Sequence, residues 1–553
     1  MLKIVNKLGF AVLLFLSLLS AILFVIAPIT LNNVVENVGT IGVSDIIKVI
    51  LLLAAGYLVE FISVFIKNGL VQQYHGRAAE ILYADVFKLN YDKYIEDGPT
   101  AIRDLVWNAA DAYAGLYFDV IPSLIVNIAT IIVSIYISFT LNHIAALLMF
   151  ITLPIHYFGF KLLNKKLAKL SVKLRQASSK SQSNIHSVVS QVDFIKQNSE
   201  NENLLPMIKK NILESEGVRK KVNYVANGVS GLLIGLNQII QSLTIVFLAA
   251  LALKNKDAFG GVVYVMLVFP YFSNAIRGLS FTNLGIADVK AADEFLKTMI
   301  EYREEDGTLD MPSDVKSIRF DINSVDIYDK NLLNDIHMSF KKGDIVGIKG
   351  ESGTGKTTFI NLLTGLYRPT SGEIFVNGKT PTLENTSKEA GVVSQDFFLF
   401  SFMLGENVTS SRDVDIKNAK LALETSGFGD KYPLETYLYK DIDEDGVDVS
   451  GGEAQKIALA RAIYGDKKLL LFDEPTSKLD PKSEMKVFES FNEVSKGKTA
   501  IFVSHRMSAC KFADRIILFE KGKISAIGTH EEMLKGSERY RAMWEAQAKY
   551  YSC

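Results

Sequence analysis

Cysteine is nearly missing from this 553-residue sequence: Cys510 and Cys553 are its two thiols. That leaves no material for a disulfide scaffold or a zinc framework, and free cytosolic thiols are the expectation. A surplus of one charge sign is missing too. The 60 basic and 61 acidic side chains nearly cancel, so the totals carry no polyelectrolyte signal for nucleic acid. Charge is also absent locally. No Lys or Arg occurs from Asn32 to Asp45, and charged side chains are sparse until about residue 280 and dense beyond it.

Apolar side chains fill that first half. Mean hydropathy is +0.19, and 33 Phe and 22 Tyr contribute to it. Six apolar stretches run at Leu8–Leu31, Ile46–Ile66, Tyr117–Thr140, Ile144–Leu163, Val229–Leu253 and Phe259–Ile276. Each is long enough, at roughly 1.5 Å per residue, to cross a hydrocarbon core of about 30 Å. Backbone groups in lipid must be satisfied within the segment, so helices are expected. Lys3 and Lys7 precede the first stretch as they would a signal peptide, but its apolar run is too long for one.

The lysines and arginines orient these spans. Arg77, Lys88, Lys93 and Arg103 follow the second stretch, and a denser set from Lys165 to Lys221 follows the fourth. Both long connections and both termini are therefore expected on the cytoplasmic side. Lys254 and Lys256, on the far side, count weakly against this. Leu167–Ser181 has no Gly or Pro and reads as a helix continuing out of the membrane. Among the ionisable side chains within the stretches are Glu60 in the second and His156 in the fourth; Arg277 lies at the inner end of the sixth. Such groups usually face a cavity or a partner, although Arg277 can equally reach headgroups and Glu60 can be paired internally.

Past the sixth stretch, Ala287–Tyr302 is an amphipathic run and the polar segment Arg303–Val315 carries Gly and Pro. Strand-like and helix-like segments alternate from Ile318 onward, the pattern of an α/β domain with a largely parallel sheet. Within it, Gly350, Glu351, Ser352, Gly353, Thr354, Gly355, Lys356 and Thr357 spell GESGTGKT between the apolar strand Ile345–Ile348 and a helical run opening at Thr358. That is the context of a phosphate-binding P-loop, whose backbone N–H groups cradle phosphate at a helix N-terminus. Lys356 is the candidate for the β- and γ-phosphates, and Thr357 for Mg²⁺. In LLLFDE, Asp473 and Glu474 stand at the end of an apolar strand. Asp473 is the second candidate for Mg²⁺ and Glu474 the candidate general base. Between these motifs, Ser450, Gly451 and Gly452 open another helix.

Ser-Gly-Gly between these two segments resembles the ATP-binding cassette (ABC) transporter family. The six apolar stretches with two long inner connections resemble its exporter-type members, and the likeness covers essentially the whole chain. It implies a six-helix transmembrane domain over residues 1–302, a linker over 303–317 and an α/β P-loop cassette over 318–553. It also implies that Tyr328 stacks on adenine, that Gln395 contacts Mg²⁺ and the membrane domain, that Asp480 belongs to the D-loop, and that His505 is the switch histidine at the γ-phosphate. Ser450 and Gly452 are implied to contact ATP held by an opposite cassette. ATP and Mg²⁺ are the implied cofactors, and two chains make the working unit, a homodimer first and a paired half-transporter second.

The sequence departs from the family pattern at Glu453, where Gln is usual, and in the acidic stretch of Asp441, Asp443, Asp445 and Asp448. Local capping accounts for Glu453 at a helix start, while the carboxylates would repel ATP unless turned away. Stretches near Tyr94–Thr100 and Ser183–Gln191 are the candidate coupling helices. The resemblance implies ATP hydrolysis coupled to transport, with export the favoured direction, from a bacterial plasma membrane with the cassette in the cytoplasm. No peptidase domain precedes the first helix, which disfavours leader-cleaving export. A peptide or peptide-like compound ranks first as substrate, and lipids and drug-like amphiphiles stay open. A nucleotide-gated channel and a membrane-anchored regulatory ATPase are the rivals from other classes; the intact Glu474 counts against the channel.

Overall fold

A computed structural model describes residues 2–36, 43–141, 143–198, 201–253, 259–303, 316–327, 330–379, 390–465, 467–475, 488–489, 491 and 493–551. The chain divides into two compact units, Met1–Glu304 and Glu305–Cys553. The division falls inside the segment 303–317 expected to join two domains.

The first unit is helical: α1 (Lys7–Glu36), α2 (Val43–Val86), α3 (Tyr91–Asp97), α4 (Pro99–Gly115), α5 (Ile121–Leu141), α6 (His143–Val189), α7 (Val192–Asn198), α8 (Asn201–Ala252) and α9 (Phe259–Glu301). The apolar stretches lie on α1, α2, α5, α6, α8 and α9, as expected for helices apolar around their whole circumference. Among the described residues three spans are long and apolar enough to cross a membrane: Lys7–Leu31, Val43–Val86 and Pro99–Thr140. Ile234–Ala250 is a shorter apolar run on α8. Large apolar side chains such as Phe15, Phe61, Phe65 and Tyr136 remain outward-facing, as a lipid-facing surface requires.

The helices also run well past the apolar stretches. At about 1.5 Å per residue, the 47 residues of α6 span about 70 Å, so Leu167–Ser181 is part of one unbroken helix. Near the first candidate coupling segment the chain makes the short α3, capped by the Asn90 side chain, and breaks at Gly98. Near the second, α6 ends at Val189 and a turn at Ser190–Gln191 leads into α7. Between α4 and α5 a five-residue π-helical turn, Leu116–Val120, holds Asp119.

The second unit combines two sheets. β1 (Ser317–Ile327), β2 (Lys330–Lys341) and β4 (Ser371–Val376) form an antiparallel sheet in the order β2-β1-β4. β1 alternates buried and exposed residues, which fits a sheet with one wet face. β3 (Ile345–Gly350), β5 (Ala390–Val393), β6 (Leu469–Asp473), β7 (Thr499–Val503), β8 (Arg515–Glu520) and β9 (Lys523–Gly528) form the other sheet, in the order β5-β6-β7-β3-β8-β9. It is parallel apart from β9, which pairs antiparallel with β8. β3, β6 and β7 are buried along their whole length, which is why they read as continuous apolar runs. The strand pattern pointed to a largely parallel sheet, and the separate antiparallel sheet was not distinguished in the sequence.

Helix α10 (Lys356–Thr364) follows β3 directly. A mostly helical segment holds α11 (Leu404–Thr409), α12 (Ile416–Thr425) and α13 (Gly451–Ile463). Its own core includes Leu404, Val408, Leu423 and Ile457. The chain ends in α14 (His530–Gly536) and α15 (Glu538–Tyr551).

One aromatic stack ties the two sheets to α10. Phe359 lies 4.5 Å from Phe320 and 5.4 Å from Phe519, centroid to centroid, and all three are buried. Because Phe359 sits on the first turn of the helix after the P-loop, this packing also fixes where that helix begins. Phe359→Ala should cost about 3–5 kcal/mol of cassette stability. Thermal unfolding of the purified full chain checks this, and Phe359→Leu should recover most of the loss.

Candidate active site

The parallel register brings the chemical residues to one edge of the sheet. Ile348 of β3 pairs with Val503 of β7, and Asp473 of β6 pairs with the same Val503. The P-loop, the Asp473–Glu474 pair and the Ser504–His505 turn therefore all leave neighbouring strands at their C-terminal ends, where open α/β sheets bind ligands. Gln395 is exposed just beyond the end of β5, the strand beside β6.

The P-loop needs its glycines. Gly350 has φ +152°, and a Cβ there would lie 2.5 Å from the Phe519 carbonyl oxygen. Gly355, the residue before α10, has φ +96° and would drive a Cβ into Leu333. Both conformations are open to glycine and costly for other residues. Lys356 curls back into the loop they create. Its Nζ donates to the carbonyl oxygens of Gly350 (3.1 Å) and Glu351 (2.7 Å). Burial lowers its pKa, and the Glu474 and Asp473 charges oppose that shift. Thr354 donates to the Glu351 carbonyl, bracing the turn at 2.9 Å.

Asp473 is 2% exposed, and neither carboxylate oxygen has a hydrogen-bond partner within strict geometry. Burial raises its pKa; the nearby Thr357 hydroxyl pulls the other way without prevailing. An orphaned buried carboxylate beside a threonine hydroxyl suits Mg²⁺, which takes one or two protein ligands and completes its shell with phosphate and water. Among the described residues no cluster of three or more His, Cys, Asp or Glu forms a dedicated metal cage. The Asp473–Thr357 pair fits a cation whose remaining ligands come from phosphate and water.

Glu474 adopts φ +53°, uncommon outside glycine. Its backbone N–H donates to the Val503 carbonyl at 3.0 Å, and its own carbonyl accepts from Gln455 Nε2 at 3.3 Å. So held, Glu474 Oε1 meets His505 Nε2 at 2.5 Å, with the carboxylate nearly buried and the imidazole half exposed. Strain of this kind persists where surrounding bonds over-determine it.

Several supports carried no readable signal in the sequence. Buried Lys349, a lone cation in the strand IVGIKG, donates to the carbonyl oxygens of Ser504 (2.5 Å) and Arg506 (2.6 Å) on either side of His505. From α15, Gln547 donates to the His505 carbonyl at 2.8 Å and accepts from Met507 N at 2.7 Å. Arg539 of the same helix pairs with Glu351 of the P-loop. The lysine in an otherwise apolar strand was the one available hint. Gln547 and Arg539 act across long sequence distances.

Ser450 caps α13, and Glu453 closes the reciprocal capping box. Glu453 Oε2 accepts from the Ser450 backbone N–H at 2.8 Å and from its hydroxyl at 2.9 Å, while Oε1 pairs with Lys431. Lys431 first and Ser450 second hold the Glu453 carboxyl down to about 2, so it stays charged and loosens only as pH falls from the ordinary carboxylate range toward that value. The flanking acids are partly tied locally: Asp441 accepts from the Ser401 hydroxyl (2.5 Å) and Asp443 from the Asp445 N–H (2.9 Å). Among the described residues, no hydrogen bond or ion pair joins Ser450–Gly452 to the P-loop of the same chain. Tyr328 and Asp480 lie outside the described residues, as does the side chain of His156.

The two units also match known proteins in this order. Residues 10–276 match the family model of the ABC transporter transmembrane region, and residues 333–477 match that of the ABC transporter. The chain belongs to the ABC transporter family. It is an integral membrane protein with an ATP-binding domain. It is 40% identical over 230 residues to the subtilin transport ATP-binding protein SpaT of Bacillus subtilis, covering 39% of this chain and 37% of that one. It is 30% identical over 337 residues to the ATP-dependent lipid A-core flippase of Ralstonia nicotianae, covering 57% and 56%. The ABC transporter ATP-binding protein YfiC of Bacillus subtilis is 26% identical over 96% of this chain and 90% of its own. The alignments thus span between about a third and about half of the first two relatives and nearly all of the third. In fold, this ABC transporter resembles a bacterial Atm1-family ABC exporter with ATP bound, at a TM-score of 0.78, 18% identity and 98% coverage of both chains.

The raised pKa of Asp473 has a measurable consequence. A carboxyl whose folded pKa lies above its unfolded value contributes stability at low pH and loses it as pH rises through the folded value. At neutral pH the nucleotide-free protein therefore carries a cost at Asp473. Asp473→Asn should raise the unfolding midpoint of the nucleotide-free full chain, and the gain should shrink as pH falls toward the carboxylate range. An unchanged midpoint at every pH would contradict this.

Proposed function

We propose that this chain is one half of an ATP-driven exporter of a peptide-like or other amphipathic compound, working as a pair of chains in a bacterial plasma membrane. The observation that carries the reading is the shared strand edge of Lys356, Asp473, Glu474 and His505, with Glu474 and His505 in contact. Names of relatives support the direction and the substrate class, since subtilin transport and lipid A-core flipping are attributed to two of them.

In this reading Lys356 gives up its contacts with the Gly350 and Glu351 carbonyls and turns to the β- and γ-phosphates of ATP. Backbone N–H groups of residues 351–358 cradle the remaining phosphate oxygens at the start of α10. Thr357, Asp473 and Gln395 would hold Mg²⁺, which would supply charge neutralisation at the phosphates. His505 leaves Glu474 for the γ-phosphate, and the freed carboxylate accepts the proton of the attacking water as its oxygen bonds to the γ-phosphorus and the bond to the β,γ-bridging oxygen breaks, with ADP as the leaving group. Ser450 and Gly452 of the second chain complete the site from outside, so two sites form only when two chains meet. Tyr328 remains the expected adenine-stacking aromatic, and Asp480 remains the expected D-loop residue. A homodimer is favoured because every part of the composite site is present in this one sequence.

Glu474→Gln tests the assignment. ATP should still bind, turnover should fall by about 10²–10⁴-fold, and the purified chain in nanodiscs should accumulate as a closed dimer holding two ATP. Lys356→Ala should instead lose nucleotide binding. Near-normal hydrolysis by Glu474→Gln, or a wild-type chain that stays monomeric and inactive, would overturn the reading.

A further inference from the structure

The membrane unit holds a half-open cavity of about 520 Å³ between α1, α2, α5 and α9, within the size range of small-molecule sites, roughly 300–1,000 Å³. Three ionisable side chains line it: Glu60, Lys67 and Asp119. Lys67 and Asp119 neutralise one another, Nζ to Oδ1 at 2.8 Å. Glu60 is left. It has no hydrogen bond or ion pair with any described residue, although it lies within the apolar stretch Ile46–Ile66. An unpaired carboxylate is costly in that setting and points to a missing cationic partner.

The surroundings of Glu60 suit such a partner. Tyr57, Glu60, Val64 and Lys67 recur at helical spacing on one face of α2 and all reach the cavity. Across it, Phe24 lies 4.8 Å from Tyr57 and 5.4 Å from Tyr271, ring centre to ring centre. Aromatic faces stabilise a cation placed against them, and do so more strongly when water is excluded. Neutral hydrogen-bonding groups complete the lining, among them the Ser17–Ser63 pair at 2.9 Å.

A second cavity, of about 1170 Å³, lies next to the first among α2, α4, α6, α8 and α9. Asp119, on the π-helical turn, lines both. Four aspartates (Asp104, Asp111, Asp119, Asp288) against two arginines (Arg103, Arg219) line this outer cavity. Two of these aspartates are already paired, Asp104 with Arg103 and Asp119 with Lys67, so the lining keeps a small negative excess that favours the approach of a cation.

We propose that the inner cavity binds a monocationic amphipathic ligand, its cationic centre between the Glu60 carboxylate and the rings of Tyr57, Phe24 and Tyr271. The outer, acid-lined cavity is its way in. This deepens the exporter reading, on which the ligand's status as cargo rests, by assigning the cargo a positive charge.

Equilibrium dialysis of the nucleotide-free full chain in nanodiscs, corrected against empty nanodiscs, is the test. The probes are tetraphenylphosphonium and tetraphenylborate, ions of nearly the same shape and opposite charge. Tetraphenylphosphonium should bind saturably at one site per chain. Glu60→Gln should weaken it by about tenfold or more, and Glu60→Asp should retain most of the affinity. Tetraphenylborate should show no saturable binding. The proposal is overturned if the phosphonium does not saturate, if Glu60→Gln binds it like wild type, or if the borate binds equally well. Comparing the two ions on the wild-type chain decides the matter even if a variant fails to fold. Hydrolysis of ATP by the wild-type chain, measured without either ion, tests the exporter reading separately: a chain that hydrolyses ATP but does not bind the phosphonium at Glu60 refutes only the present inference.

Discussion

A site for nucleoside triphosphate must hold charges dry and unsatisfied until the ligand arrives, and the cassette is arranged around that constraint. Asp473 is buried without a partner, and Lys356 is folded onto two carbonyl oxygens that only partly replace water. Each costs stability in the empty protein. That cost is bearable because the strands beneath are buried along their whole length and largely apolar. β3, β6 and β7 form the centre of the sheet, and the Phe320–Phe359–Phe519 stack anchors the helix that begins at Lys356. The rigid part of the domain lies directly below its least satisfied part.

The Glu474–His505 contact extends the same logic to the movable side of the site. Glu474 is held in a strained backbone conformation by Val503 and Gln455, and His505 is bracketed by bonds from Lys349 and Gln547. Backbone is thus held on both sides of the Glu474–His505 contact. Gln547 and Arg539 place the last helix in contact with the histidine turn and the P-loop at once. The C-terminal helix is therefore part of the support of the site.

Much of the site was legible because its parts are local in sequence. GESGTGKT and LLLFDE each combine an apolar strand with the residues that follow it; both strands formed where the pattern placed them, and α10 begins at Lys356, two residues ahead of the expected Thr358. The capping of α13 by Ser450 and Glu453 was readable for the same reason. What could not be read was long-range. Lys431 neutralises Glu453, and Gln547 grips the His505 turn, through contacts that only the fold creates. Asp119 was overlooked for a different reason. It opens an apolar stretch beside Tyr117 and Phe118, and only the π-helical turn and the two cavities that share it distinguish it from an interfacial residue.

We propose that Asp473, Thr357 and Gln395 would make a metal site only together with nucleotide phosphates. Mn²⁺, as a paramagnetic substitute for Mg²⁺, tests this most directly by electron–nuclear double resonance on the full chain in nanodiscs. The account predicts no ordered Mn²⁺ at the site without nucleotide, and phosphorus couplings from bound Mn²⁺ once ATP is added. Equally tight Mn²⁺ binding in the absence of ATP, or bound Mn²⁺ without any phosphorus coupling in its presence, would contradict it.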